Sequence, residues 1–195
     1  MKKRVLLISG ISGAGKDWLV NKLSTETFEK VRTSTTRTRR NEYDFYNFLS
    51  ETEMDVVWPS FIQRLESAGY RYGASEEPLK EIHAKGKIPA MIVSPSGVYD
   101  MLDKLSDSEV DYEFFYVHIK SDEELTLFNM TARRKDETEN VIKRILHTDV
   151  EIRYQFEEFL DFHSLNFINR HHNFEIADSS DEALEMICEH YGGEL

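Results

Sequence analysis

The sequence of 195 residues is poor in cysteine, in proline and in long apolar runs. A single cysteine, Cys188, excludes an intramolecular disulfide and fits a reducing compartment. No apolar run approaches the roughly 18 residues that cross a bilayer, and the run 5–8 is too short for the apolar region of a signal peptide. These absences predict a cytoplasmic protein without a membrane partner. The length and the apolar content of 40% predict one α/β domain.

Positive charge is also scarce. The chain has 24 Lys and Arg residues against 36 Asp and Glu residues, which gives a formal net charge of −12. This balance argues against a general binder of nucleic acid or of acidic membranes. The basic residues nevertheless cluster at 32–40 and at 133–144, and such clusters in an acidic chain indicate local anion sites. The alternative for each cluster is a solvated charged surface.

Only nine glycines are present, and three of them fall in the short stretch 10–17, with the sequence GISGAGKD. An apolar run at 5–8 precedes this stretch and a helical pattern at 18–23 follows it. Strand, glycine-rich turn and helix in this order are the context of a phosphate-binding loop. Glycines let successive backbone N–H groups converge on one phosphate, and the positive end of the helix dipole adds to the attraction. The stretch therefore predicts a nucleotide site; the alternative is a glycine-rich turn that binds nothing.

The stretch matches the pattern G-x-x-x-x-G-K-[ST] except at its last position. Lys16 is placed to reach the terminal phosphates of a nucleoside triphosphate. Asp17 replaces the hydroxyl residue that usually holds Mg²⁺. Because a carboxylate is also a hard oxygen ligand, Asp17 is the predicted ligand of Mg²⁺, either directly or through a water molecule.

Strand and helix signals alternate along most of the chain. Extended or apolar runs occur at 28–33, 88–93, 113–119 and 174–177, and helical patterns at 77–85, 97–105, 122–133, 137–162 and 181–190. This alternation predicts a doubly wound parallel sheet, in which ligands lie at the carboxyl ends of the strands.

The segment 33–75 is too polar and irregular to join that sheet, and it predicts a separate lobe. Within the segment we expect extended stretches at 43–49 and 70–73. We also expect a helix at 58–68, because its apolar residues have helical spacing.

Several stretches, in the same order, resemble the guanylate kinase family. The stretches that match its motifs are 33–40 (TSTTRTRR, for S-x-T-T-R-x-P-R), 46–48 (Y-x-F), 61–63 with 69–73 (FIQ and GYRYG, for F-I-E and G-x-Y-Y-G), 86–87 with 97–98 (GK and GV, for G-K and Q-G-V), and the arginines Arg133 and Arg144 of a lid. The resemblance covers most of the chain. It implies one α/β domain, 1–195. Its parts would be a P-loop NTPase-type parallel β-sheet flanked by helices (1–32 and 76–195), an inserted nucleoside-monophosphate-binding lobe (about 33–75) and a helical lid (about 130–146).

In that family ATP phosphorylates GMP on its 5′-phosphate, so the resemblance implies the same transfer here, with ATP bound together with Mg²⁺. ATP would be held by the phosphate loop and by one residue near the last strand, namely Ser12, Gly13, Ala14, Gly15, Lys16, Asp17 and Asp178. The acceptor nucleotide would be held by Thr33, Ser34, Arg37, Arg40, Tyr46, Gln63, Tyr72 and Ser94. The transferring phosphoryl group would be stabilised by Lys16, Arg37, Arg133 and Arg144. Arg134 is an equally placed alternative to Arg133, and no histidine is assigned a catalytic role.

The chain departs from the family where the base is read. The family's glutamate after Phe-Ile is Gln63, and two acidic positions in the strand after Gly-Lys are Ile92 and Ser94. A carboxylate offers only acceptors, which match the N1–H and N2–H₂ donors of guanine, whereas a carboxamide offers one acceptor and one donor group. Gln63 can therefore pair with the O6 and N1–H of guanine, or with an edge of adenine, thymine or cytosine.

GMP or dGMP is accordingly the expected acceptor, and another (deoxy)nucleoside monophosphate is the alternative. The Gly-Lys-Asp ending of the loop also resembles that of some deoxynucleoside monophosphate kinases. A second alternative is a non-enzymatic guanylate-kinase-like scaffold that binds phosphopeptides, although a scaffold has no need of the intact loop. A nucleotide-dependent switch would need an aspartate at the end of the strand 88–93, and the sequence has none there.

The stretch 144–178 is rich in aromatic residues at helical spacing. They are Tyr154, Phe156, Phe159, Phe162 and Phe167. Such a pattern predicts core packing or a contact between two copies of the chain, so a homodimer is left open.

Overall fold

The computed structural model describes residues 2–23, 25–39, 42, 45–67, 69–121, 128–129, 150–170 and 172–192. In chain order its elements are β1 (Lys3–Gly10), α1 (Lys16–Lys22), β2 (Phe28–Lys30), β3 (Thr33–Thr35), β4 (Tyr46–Phe48), α2 (Glu51–Val57), β5 (Gln63–Ser67), β6 (Tyr70–Ala74), α3 (Glu77–Ala84), β7 (Ile88–Ile92), α4 (Pro95–Lys104), β8 (Tyr112–Ile119), α5 (Val150–Glu158), α6 (Ser164–Asn169), β9 (Asn173–Ala177) and α7 (Ser180–Tyr191). None of the helices in the described ranges combines the length and the apolar character needed to pass through a membrane.

The larger of two sheets has five parallel strands in the order β2-β7-β1-β8-β9. Side chains of the central strand β1 alternate between two apolar cores, one on each face. Val5 and Leu7 pack with α3, α4 and α5, whereas Leu6 and Ile8 pack with α1 and α7. The predicted parallel sheet flanked by helices is therefore confirmed.

Aromatic side chains fill much of the core on the Val5 face. Phe156, Phe159 and Phe167 are buried, and the ring of Phe159 lies 5.1 Å from that of Tyr116 in β8. Tyr154, in contrast, is 66% exposed. Core packing is thus confirmed for three of the predicted aromatic residues.

The predicted helix 137–162 is helical where the structure describes it, from residue 150 onward. A π-helical turn, Phe159–His163, joins α5 to α6. The earlier part of this helix, and most of the predicted helix 122–133, lie outside the described residues.

The smaller sheet has four strands in the order β4-β3-β6-β5, all between residues 33 and 74. The predicted extended stretches at 43–49 and 70–73 correspond to β4 and β6. The predicted strand 28–33 is wrong as a single element, because β2 belongs to the larger sheet and β3 to the smaller one.

The predicted helix at 58–68 is wrong. A helix does form, but it lies earlier, because Ser50 and Glu53 make a capping box that starts α2. A 3₁₀ turn at Trp58–Ser60 ends the helical region, and β5 then pairs with β6 over five residue pairs. The apolar spacing over so short a run is compatible with either a helix or a strand. The pairing of β5 with β6 in a hairpin decides in favour of the strand.

Phe159 and its neighbour Leu160 provide a matched test of the aromatic core. Phe159 is fully buried, whereas the side chain of Leu160 is 36% exposed. Replacing Phe159→Ala should lower the free energy of unfolding by about 3–5 kcal/mol, because it removes a large buried ring and leaves a cavity. Leu160→Ala should lower it by less than about 1 kcal/mol. Urea unfolding measures both values, and equal losses would contradict the packing described here.

Candidate active site

The glycine-rich loop between β1 and α1 has a backbone that only glycine adopts readily. Gly10, Gly13 and Gly15 have φ angles of 143°, 85° and 85°. A Cβ on Gly10 would lie 2.5 Å from the carbonyl oxygen of Ile119, and a Cβ on Gly15 would lie 2.8 Å from Ser180 Oγ. The loop is therefore packed tightly between the end of β8 and the start of α7.

Lys16 is the first residue of α1, and its side chain folds back over the loop. Its Nζ donates hydrogen bonds of 2.7 Å to the carbonyl oxygens of Gly10 and Ile11. The ammonium group is thus held close to the loop's backbone, which is where a bound phosphate chain would need it. Asn129 also contacts this loop, because its Nδ2 donates a hydrogen bond of 3.0 Å to the carbonyl oxygen of Gly13. No sequence motif pointed to Asn129.

Asp17 lies in the first turn of α1, beside the loop. Its carboxylate forms an ion pair of 2.8 Å with Lys30 of β2, and its side chain is 54% exposed. The described residues contain no group of three or more metal-ligating side chains. Mg²⁺ bound to a nucleotide takes most of its ligands from phosphates and water and needs only one or two carboxylates, so a single aspartate at this place fits such an ion.

The corner between β9 and α7 reaches the same loop. Ser179 caps α7 by accepting a hydrogen bond from the backbone N–H of Glu182. The backbone N–H of Asp178 donates to the Glu182 carboxylate at 2.6 Å. Ser180 is packed against Gly15 of the loop. Asp178 precedes Ser180 by two residues.

The register of the smaller sheet shows on which face of the sheet each residue predicted to hold the acceptor lies. Thr33 pairs with Tyr46, Thr35 pairs with Tyr72, and Gln63 pairs with Ala74. Since paired residues share a face and successive residues alternate, Thr33, Tyr46, Gln63 and Tyr72 lie on one face of this sheet. Ser34 pairs with Gly73 and lies on the opposite face.

Arg37 adds a positive charge to this face. Its guanidinium group lies 5.2 Å from the centre of the Tyr46 ring, and that ring contacts the Tyr72 ring at 6.2 Å. The residue is 5% exposed, and its backbone N–H donates to Thr35 Oγ1. Its Nη1 donates a hydrogen bond of 3.4 Å to the carbonyl oxygen of Thr38, so part of the guanidinium group is engaged within the protein. The planar fork of an arginine matches the oxygens of an anion such as phosphate. Arg40, Arg133 and Arg144 lie outside the described residues.

Gln63 and Ser94 meet beside Gly97, at the start of α4. A Cβ on Gly97 would lie 2.8 Å from Gln63 Cγ and 3.2 Å from Ser94 Oγ, so the glycine makes room for the glutamine. Gln63 is 2% exposed, and its Oε1 has no hydrogen-bond partner in the described part of the chain. Ser94 caps α4, with its Oγ accepting from the Gly97 N–H at 3.1 Å.

Asp100, one helical turn further along α4, holds β5 in this place by accepting a hydrogen bond from the backbone N–H of Arg64. Burial raises the pKa of the Asp100 carboxyl, and the positive charge of Arg64 opposes this rise. The contact fixes Gln63, the residue before Arg64, against the start of α4.

A buried polar cluster lies directly beneath the glycine-rich loop. Ser9 Oγ is 2.6 Å from both Tyr116 OH and His118 Nδ1, and the His118 ring stacks on Phe156 with 3.5 Å between ring centres. Burial, together with the positive charges of Lys16 and Lys120, lowers the pKa of His118 to about 3. The imidazole is therefore neutral at physiological pH. No sequence signal pointed to this cluster, because Ser9 is about a hundred residues from Tyr116 and His118 and meets them only through the pairing of β1 with β8.

The pKa of His118 makes a prediction about acid stability. An unfolded histidine has a pKa near 6.5, so between about pH 6.5 and about pH 3 the unfolded chain binds a proton that the folded chain does not. The free energy of unfolding therefore falls as the pH is lowered through this window, by about 1.4 kcal/mol per pH unit for this group. In His118→Gln the fall between about pH 6 and about pH 4 should be less steep by that amount. Urea unfolding across this range measures it, and parallel curves would mean that His118 is charged in the folded protein.

Known proteins resemble this chain in both sequence and fold. The profile of the family described as Guanylate kinase matches residues 2–173. The chain is similar to a guanylate kinase of Sus scrofa, with 26% identity over 151 residues, which are 73% of this chain and 73% of that protein. It is similar to a guanylate kinase of Homo sapiens, with 28% identity over 151 residues, which are 73% of this chain and 74% of that protein.

The fold is similar to that of a guanylate kinase from Anaplasma phagocytophilum, known from a crystal structure, with a TM-score of 0.58. The match covers 97% of this chain and 85% of that chain at 14% sequence identity, which by itself shows the fold alone. The family profile, in contrast, spans most of the sequence. The chain therefore belongs to the guanylate kinase family.

Proposed function

We propose that this chain is an ATP-dependent nucleoside monophosphate kinase that transfers the γ-phosphoryl group of Mg·ATP to GMP or dGMP. The observation that carries the proposal is the phosphate loop, with Lys16 held over its carbonyl oxygens at the carboxyl end of the central strand. Parallel sheets bind ligands at that end of their strands. Membership of the guanylate kinase family supports the same activity.

The transfer needs little covalent chemistry from the protein. An oxygen of the acceptor's 5′-phosphate attacks the γ-phosphorus, the bond from that phosphorus to the β–γ bridging oxygen breaks, and ADP leaves with the bonding electrons. The attacking phosphate is already an anion, so no general base is required. The protein's task is in-line positioning and positive charge around a spread-out transition state.

In this proposal the charge comes from Lys16 on the ATP side and from Arg37 on the acceptor side. Arg40, Arg133 and Arg144 are proposed to add to it. Mg²⁺, when bound, neutralises part of the charge on the triphosphate, and Asp17 is the residue that would hold it. Ser12, the loop backbone and Asp178 are proposed to complete the ATP site.

The acceptor's phosphate is proposed to lie against the face of the smaller sheet that carries Arg37, Tyr46 and Tyr72. Guanidinium and tyrosine hydroxyl groups donate to phosphate oxygens, and tyrosine does so without adding charge. The base of the acceptor nucleotide is proposed to lie against Gln63 and Ser94. These two groups carry no charge, so a different (deoxy)nucleoside monophosphate is the alternative acceptor.

A panel assay tests the reaction itself. The purified protein, given Mg·ATP and each common ribo- or deoxyribonucleoside monophosphate in turn, should release ADP fastest with GMP or dGMP. Lys16→Ala should lower kcat/KM by about a hundredfold or more, since it removes a charge aimed at the transferring group. Lys22→Ala is the matched control on the same helix, where the ammonium lies over the Trp18 ring, and it should leave the rate unchanged. ATP binding without transfer to any nucleotide would refute the kinase and favour a phosphopeptide-binding scaffold.

The metal dependence of ATP binding tests Asp17. Asp17→Ala should weaken ATP binding about tenfold when Mg²⁺ is present and have little effect when EDTA removes it, since a hard oxygen ligand matters only to the metal. Lys30→Ala should not weaken Mg·ATP binding, because it leaves the carboxylate in place without its ion pair. Calorimetry with and without EDTA measures these affinities. An equal loss in both conditions would mean that Asp17 acts on the loop and not on the metal.

A further inference from the structure

A chain of hydrogen bonds runs from the start of α4 to α5 and ends at a charged group. Ser94 Oγ lies 3.0 Å from Ser96 Oγ, and Ser96 Oγ donates a hydrogen bond of 2.9 Å to Gln155 Oε1. Gln155 Nε2 in turn donates a bond of 3.2 Å to the carboxylate of Glu151. The residues come from two elements that are about sixty positions apart in the sequence. Ser96 stands where the family's Q-G-V motif has its glutamine, and Gln155 lies in none of the matched motifs.

The carboxylate at the end fixes the direction of every bond in this chain. A carboxylate only accepts, so the amide nitrogen of Gln155 must face Glu151, and the amide oxygen must face Ser96. The single proton of the Ser96 hydroxyl is therefore used on Gln155. The bond between Ser96 and Ser94 must then be made by the proton of Ser94.

The directions of these hydrogen bonds decide what Ser94 can offer to a ligand. Its hydroxyl proton is used on Ser96, and one of its two lone pairs accepts the Gly97 N–H. One lone pair remains. Ser94 is thus an acceptor toward a ligand and cannot donate while these hydrogen bonds are intact.

Gln63 adds a second acceptor at the same place. Its Oε1 is buried and lacks a hydrogen-bond partner among the described residues, and a donor that reached it would remove an unfavourable state. Ser94 Oγ and Gln63 Nε2 both lie 3.2 Å from the Cβ position of Gly97, so the Ser94 hydroxyl and the Gln63 carboxamide lie against the same part of α4. One acceptor on each of these two side chains suits an edge with two adjacent N–H donors.

We propose that Ser96 and Gln155 are positioning residues that set the direction of the Ser94 hydroxyl, so that Ser94 and Gln63 together select a base with two adjacent N–H donors, as guanine has at N1 and N2. The proposal rests on the proposed function, because it assumes that the acceptor nucleotide lies against these groups. The base is then selected by two neutral acceptors, at positions where the family has carboxylates.

Comparison of GMP with IMP tests the proposal, because IMP lacks only the 2-amino donor of GMP. The wild-type protein should prefer GMP by about tenfold or more in kcat/KM, as a site built to pair a donor does. Ser96→Ala frees the Ser94 proton and should lower this preference about three- to tenfold, through KM for GMP and with kcat unchanged. Ser96→Thr, which keeps the hydroxyl, should restore it. Ser106→Ala removes a hydroxyl that donates to the Asp103 carbonyl just beyond α4, and it should leave the preference unchanged.

Calorimetric binding of GMP and IMP gives a second readout that does not need turnover. It should show the same order of preference in the wild-type protein and the same loss in Ser96→Ala. An equal affinity for GMP and IMP in the wild type, or an unchanged preference in Ser96→Ala, would overturn the inference. Absence of turnover together with a normal GMP preference in binding would instead refute the proposed kinase and leave the inference supported.

Discussion

The parallel pairing of β1 with β8 is the constraint on which the rest of the site depends. The two strands pair from Lys3 with Tyr112 to Gly10 with Ile119 without interruption. The last of these pairs brings the Ile119 carbonyl oxygen so close to Gly10 that no side chain fits there. The chain must therefore leave β1 at a glycine, and the loop that follows places Lys16 at the carboxyl end of the sheet.

The same pairing places an uncharged polar layer under the loop. Ser9 and His118 are partners in the register, and their hydrogen bond is buried with Tyr116. A buried histidine that carried a proton would lie close to the ammonium of Lys16, and burial prevents this by favouring the neutral form. Ser9, Tyr116 and His118 therefore place neither a negative nor a second positive charge beside Lys16.

The two halves of the site differ in their electrostatics. The half proposed to hold ATP contains Lys16 and Asp17, and Asp17 is paired with Lys30. The groups proposed to read the base are a carboxamide and a hydroxyl. Neutral hydrogen-bonding groups are less expensive to bury than carboxylates. Their selectivity, however, depends on direction, since both a carboxamide and a hydroxyl can donate as well as accept. The contact between α4 and α5 supplies that direction through Ser96 and Gln155.

The sequence predicted those parts of the molecule whose signals are local. The glycine-rich loop, the parallel strands and the helices predicted at 77–85, 97–105 and 181–190 follow from glycine spacing and apolar patterns. The structure has these helices at Glu77–Ala84, Pro95–Lys104 and Ser180–Tyr191. The helix at 58–68 failed because pairing between β5 and β6 outweighed a short periodic pattern. The contacts of His118 with Ser9 and of Gln155 with Ser96 could not be predicted, because each joins residues that only the fold brings together. The roles of the individual site residues remain predictions from chemistry and resemblance.

The most direct test of the account is the binding of a bisubstrate compound, guanosine and adenosine joined 5′ to 5′ through five phosphates. If one site holds ATP on the loop and GMP on the smaller sheet, the two halves bind as one ligand. Its affinity should then exceed that for ATP by about a hundredfold or more. Arg37→Ala should remove most of this gain while leaving the affinity for ATP unchanged. A compound that binds no more tightly than ATP, and that Arg37→Ala does not affect, would contradict the account.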